Sequence, residues 1–185
     1  MSWEAALLDV FEDLEQQAAG LRLADRDAEV ADLAAAAYAE VALAARAHAS
    51  RGALLVVRSV GGLVLTGTLV RSGTDWLLVE AAGASWLVPL AGVVSVSGLS
   101  PRADDTESWS AVDRLTLRAL VRRTAESDPR CRLHLADGSS TTGAVLRVGS
   151  DFLELVAGDP APGERVPTST TLVPLAAVAA LRGGS

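Results

Sequence analysis

His48, His134 and Cys131 are the side chains of this chain whose types suit nucleophilic or general acid–base work, because a thiolate attacks and an imidazole moves protons near neutral pH. Their contexts do not assemble such a mechanism. His134 lies in the alternating run Arg132-Leu133-His134-Leu135, His48 ends a helical run, and nothing pairs either one with Cys131 or with a serine. Asp75 and Asp151 follow the turn glycines Gly73 and Gly149, a position suited to accepting turn N–H groups rather than to acid and base roles. A single cysteine forms no intrachain disulfide, and two histidines are too few for a His/Cys metal cluster. Gly61-Gly62 and Gly138 read as hairpin glycines, without a Walker pattern or a dinucleotide fingerprint. The sequence points away from an enzyme, and neither a metal nor a cofactor is expected.

Binding chemistry is the other option. Trp76, Trp86 and Phe152 are aromatics that could stack on a base, and Arg71, Arg147, Arg122 and Arg123, with Arg118 beside them, could meet phosphates. These seven aromatic and arginine positions, Arg118 apart, are the candidate partner-binding residues. Each also has a structural reading: the aromatics cover a join between helix and strands, and the arginines pair with local acids on a solvated face. Sixteen basic residues against twenty-three acids give a formal charge of −7, which disfavours general attraction to nucleic acid or to an anionic membrane.

The elements that must position these residues follow from the patterning. The chain has 185 residues, half of them apolar and 21% charged, which is globular rather than disordered and long enough for one domain or two small ones. Residues 1–50 hold ten acids and three arginines, whereas residues 51–185 hold thirteen of each, so the whole charge surplus sits at the front. In 2–19, Trp3, Leu7, Val10 and Leu14 are spaced four, three and four apart, the mark of an amphipathic helix that Gly20 is expected to interrupt. A second helix is expected over 25–50, with Val30, Leu33, Ala37, Val41 and Ala44 on one stripe and a high alanine density. Two uses of this pair are open: a hairpin folded on its own domain, or a surface for self-association. The amino terminus lacks a basic n-region and a long apolar stretch, so a cytoplasmic protein is expected. The uncharged run 81–101 is punctuated by Gly83, Pro89, Gly92 and Gly98 and reads as short strands rather than a membrane helix.

From residue 53 the period becomes that of strands, and an internal repeat emerges. Residues 67–77 match 143–153 at an offset of 76, sharing Gly67/Gly143, Arg71/Arg147, Gly73/Gly149, Asp75/Asp151 and Leu77/Leu153. Residues 87–93 match 172–178 at an offset of 85, with Val-Pro-Leu in both. The nine extra residues of the second copy fall in 158–171, whose three prolines and glycines read as a long exposed loop. A glycine inside each second strand implies a sharp bend or a close backbone approach, and Leu77, Val79, Leu153 and Leu155 are expected to face inward, opposite Trp76 and Phe152. A further helix is expected near 107–126.

On these residues the chain resembles the Sm-like fold of Sm, LSm and Hfq proteins, with Gly67, Asp75 and Leu77 in one copy and Asp137, Gly138, Gly143, Asp151 and Leu153 in the other at matching positions. It is also similar to uncharacterised proteins of actinobacteria. The resemblance implies an α+β chain: an N-terminal acidic helical segment (1–50) and two tandem helix-plus-five-strand small barrels (51–100 and 129–185), with a linking helix in 101–128. It departs from RNA-binding members where strand three reads Trp76-Leu77-Leu78-Val79 and Phe152-Leu153-Glu154-Leu155 and the following turn reads Val-Pro-Leu, so base- and phosphate-contacting groups are missing. The expected function is a non-catalytic cytoplasmic interaction or assembly module, self-associating or docking a protein partner through its acidic helices. The alternative is a regulator that binds RNA or DNA through a local arginine surface.

Overall fold

The computed structural model describes residues 3–157 and 170–183, so most of the expected loop at 158–171 lies outside the described residues. Two compact units result, Met1–Val41 and Ala42–Ser185.

The first unit is one helix, α1, from Trp3 to Ala39, 37 residues without a break. This corrects the expected interruption at Gly20 and the separate helix over 25–50. A lone glycine costs a helix only about 1 kcal/mol relative to alanine, and the flanking Gln16-Gln17-Ala18-Ala19 and Leu21-Arg22-Leu23-Ala24 are good helix formers, so propagation continues through it. Every described side chain of α1 is exposed.

In the second unit a short helix α2, Leu43–His48, starts after Ala42 in extended conformation. The third helix, α3, runs Leu117–Ser127 rather than from 107, and the Thr116 hydroxyl accepts the Ala119 N–H at its start. Trp109 and Val112 imitate helical spacing, but Asp105, Ser108 and Ser110 engage nearby backbone or carboxylate instead, which favours turns over helix.

Ten strands follow the repeat: β1 Leu54–Ser59, β2 Val64–Ser72, β3 Trp76–Ala81, β4 Ala84–Pro89 and β5 Val93–Ser97, then β6 Arg130–Leu135, β7 Ser140–Val148, β8 Phe152–Ala157, β9 Thr171–Pro174 and β10 Val178–Gly183. They form a single antiparallel sheet in the order β5-β1-β2-β3-β4-β10-β6-β7-β8-β9. The expected two separate helix-plus-five-strand barrels are therefore overturned, although the chain is α+β. The reason lies in β4 and β10, which pair with Leu87 opposite Leu181 and Trp86 opposite Arg182, so neither half closes on its own. The cores interpenetrate there as well. Trp76 and Leu87 pack with Leu117, Val121, Leu133 and Leu153, while Ala180 of β10 packs with Leu55, Val57 and Val79.

Within the sheet the two halves repeat each other. The β2–β3 ladder slips between Leu69 and Arg71, and β7–β8 slips between Val145 and Arg147, so Val70 and Leu146 are equivalent bulges. At Gly67 a Cβ would run into the Glu80 carbonyl, which is the close backbone approach that the in-strand glycine implies. Leu77, Val79, Leu153 and Leu155 are all buried, and the run 81–101 contributes β4 and β5. Among the described residues no helix is long and apolar enough to cross a membrane.

Candidate functional site

Trp76 and Trp86 serve the fold. Trp76 is 1% exposed, and its Nε1–H donates to the Leu115 carbonyl at 2.8 Å, so it anchors the chain entering α3. Trp86 is buried in β4; its Nε1–H reaches the Ala81 carbonyl at 3.2 Å, the His134 ring stands 5.2 Å away, and the Arg182 guanidinium lies 5.3 Å over its ring. Both partners come from the second half, so Trp86 covers the β4–β10 join. Burial first, then the positive charges of Arg182 and Arg132, hold His134 below the usual histidine range. Phe152 is half-buried and its ring lies over Gly149, as the Trp76 ring lies over Gly73. Neither tryptophan is placed to stack on a base.

The arginines divide. Arg71 Nε is 3.4 Å from Asp113 Oδ1, and Arg147 Nε is 3.0 Å from Glu154 Oε2. Arg122 and Arg123 are exposed on α3. Arg122 and Arg147 meet across an open groove of about 430 Å³ that also holds Glu126, so this surface is of mixed charge.

The densest polar cluster was not foreseen. Asp113 is 1% exposed, accepts the Ser110 hydroxyl at 2.5 Å, and lies 2.7 Å from an Arg51 nitrogen. His48 Nε2 stands 3.6 Å from the same carboxylate, while its Nδ1 is 2.6 Å from Asp104 and its ring stacks on Trp109 with centroids 4.6 Å apart. Burial pushes the Asp113 carboxyl up, but the Ser110 and Arg51 hydrogen bonds and the charges of Arg51 and Arg71 more than offset this and hold it at about 2. A carboxylate that acidic is a poor base, and Ser110 donates to it rather than to the imidazole, so no activated nucleophile forms. The cluster clasps the segment between the halves onto α2 and β2. Its members lie far apart in sequence, and no local pattern could have revealed it.

The remaining feature is the pair of sheet edges. β5 and β9 end the sheet, and among the described residues nothing pairs with their outer sides. At the offset of 85, β9 is the counterpart of β4 and β5 the counterpart of β10, the two strands that join the halves. Leu172 is 59% and Val94 66% exposed, whereas Leu87 and Ala179 at the matching positions of the join are buried. This correspondence was readable from the repeat, since the second matching block contains Leu172, Val173 and Pro174 of β9.

No family model matches the chain. Over 88 residues, 48% of its length, the chain is 40% identical to a mycoketide-CoA synthase of Mycobacterium tuberculosis, and it spans about 2% of that protein.

Proposed function

We propose that the protein is a non-catalytic cytoplasmic assembly module that extends its sheet from chain to chain, β9 of one copy adding to β5 of the next. The observation that carries this reading is the β4–β10 join. It is heterologous, since the third-to-fourth-strand side of one half meets the last strand of the other, and the same two surfaces recur unpaired at the ends of the sheet. A heterologous contact repeats into a ring or an open filament rather than a closed pair. The matching register sets Leu172 against Val96 and Thr171 against Ser97. Thr171 and Ser97 replace the Trp86–Arg182 pair, so the contact between chains is weaker than the internal join. Sedimentation of the full chain tests it. Leu172→Lys should lower the mass of the assembly, and Thr171→Trp with Ser97→Arg, which rebuilds the internal pair, should raise it. A mass unmoved by both removes the proposal.

The arginine surface keeps a nucleic-acid reading in view, supported by exposed Arg122 and Arg123 on α3. Retained nucleic acid in protein purified at low salt, lost steeply as salt is added, would favour it over assembly. The burial of Trp76 and Trp86 and the pairing of Arg71 and Arg147 with acids weigh on the other side.

A further inference from the structure

The continuity of α1 through Gly20 changes what its sequence can do. The four–three spacing of Trp3, Leu7, Val10 and Leu14 is no longer cut off, and continuing it reaches Gln17 and Leu21, then Ala24, Ala28, Ala31 and Ala35, and ends on Tyr38. Ten of these eleven heptad seam positions are apolar over five heptads, the 3.5-residue repeat of a coiled coil. The seam is lopsided: large side chains occupy the first half and alanines the second.

We propose that α1 pairs antiparallel with α1 of a second copy, in the register that sets Leu7 opposite Tyr38 of the other helix. This deepens the assembly reading by adding a second contact between copies, and it rests on residues separate from the sheet edges. In this register positions 10, 14 and 21 lie opposite 35, 31 and 24, so Val10, Leu14 and Leu21 are each matched with an alanine and these layers interdigitate, while Leu7 and Tyr38 form the one large pair at each end. A parallel pair would instead stack large on large at one end and alanine on alanine at the other.

Charge selects the same register. The helix holds nine acids and two arginines, so self-pairing is tolerable only if acids avoid each other across the seam. Along one flank Asp13 and Asp27 face Ala34 and Gly20, and along the other Asp25 and Asp32 face Ala18 and Phe11. Sliding the antiparallel pair by one heptad brings Asp13 against Asp27, and a parallel pair brings Asp27 against Asp32. Of these three arrangements only the proposed one keeps the nearest flanking acids apart.

Cysteine cross-linking of the full chain decides it. In a Cys131→Ser background, chains carrying Leu14→Cys are mixed with chains carrying Ala31→Cys and oxidised. The proposal expects the mixed 14–31 dimer as the dominant product, undiminished by added salt because screening relieves acid–acid repulsion, and unchanged by Leu172→Lys. Leu14 is 54% exposed and Ala31 is exposed, so neither change threatens folding. Outward positions at the same level, Gln16→Cys mixed with Glu29→Cys, supply the background. Dominant 14–14 and 31–31 dimers would mean parallel pairing and overturn the proposal. A mixed yield no higher than background overturns it too, and the response of the mass to Leu172→Lys then shows separately whether the sheet-edge contact survives.

Discussion

The Asp75 carboxylate accepts the Leu117 N–H at 2.8 Å, so a turn of the first half caps the helix that leads into the second. Trp76 beside it holds the Leu115 carbonyl, and the pair fixes where α3 begins. Among the described residues the side chain of the equivalent Asp151 meets only the Ser150 hydroxyl, although both aspartates use their carbonyls alike, on Leu90 and Leu175. Asp75→Ala should therefore cost about 1 kcal/mol through the lost cap and the lost negative charge at the helix start, and Asp151→Ala distinctly less. Urea unfolding of the two variants side by side checks the difference.

Asp113 ties Arg51, Arg71 and Ser110 together, and its removal leaves two arginines without their shared anion. Because both guanidiniums reach solvent, Asp113→Ala should cost about 2 kcal/mol rather than the larger penalty of a sealed pair. The pH dependence has a definite sign. The folded carboxyl sits at about 2 against an ordinary 3.8, so its stabilisation is complete above the ordinary value and is lost as pH falls from there through the folded value. After allowance for screening, the loss is about 1–2 kcal/mol. His134, also depressed, acts in the same direction at milder acidity, since the folded chain resists its protonation below pH 6.5. Denaturant midpoints taken from pH 7 to pH 2 should show Asp113→Ala with a flatter acid limb than the parent chain.

Local pattern revealed the strands and the repeat because alternation and turn glycines are set by neighbours in sequence. The inward Leu77 and Leu153 and the close approach at Gly67 follow from that, whereas the bulges at Val70 and Leu146 show only in the ladder registers. Three features needed the fold. The β4–β10 join depends on an edge of the first half meeting an edge of the second, far from it in sequence, and it makes one sheet where separate barrels were expected. The His48–Asp113 clasp pairs residues on either side of the whole first half. Gly20 suggests a stop in the sequence because glycine weakens a helix, but one weak residue among good helix formers does not end it. Of the candidate binding residues, Trp76 and Trp86 could not be sorted from surface aromatics by sequence, since alternation does not tell a solvent face from one covered by another half.

Cys131 lies in β6 within the second core, and burial, aided by the charge of Asp128, pushes its thiol up to about 11. The thiolate is the reactive form, so at neutral pH the folded protein should resist alkylation by iodoacetamide and become fully labelled in denaturant. Rapid labelling of the native chain would show that β6 and β10 separate readily, because Cys131 sits opposite Gly183 at that ladder.

One substitution should act with opposite signs at two glycines. Gly20 is exposed on α1 with nothing near the position a Cβ would take, so Gly20→Ala removes a weak helical residue and should stabilise α1 by about 1 kcal/mol. Gly67 sits in β2 against the Glu80 carbonyl and the Ala81 side chain, where a methyl group has no room and backbone must shift, at a cost of about 3 kcal/mol. Because α1 is a compact unit apart from the sheet, the two effects should also be read separately. Gly20→Ala should deepen the helical far-ultraviolet signal while leaving the unfolding midpoint of the sheet in place, and Gly67→Ala should lower that midpoint while sparing the helical signal below it. If Gly20→Ala instead weakened the helix, the unbroken run from Trp3 to Ala39 would be wrong, and with it the seam on which the proposed pairing of two copies rests.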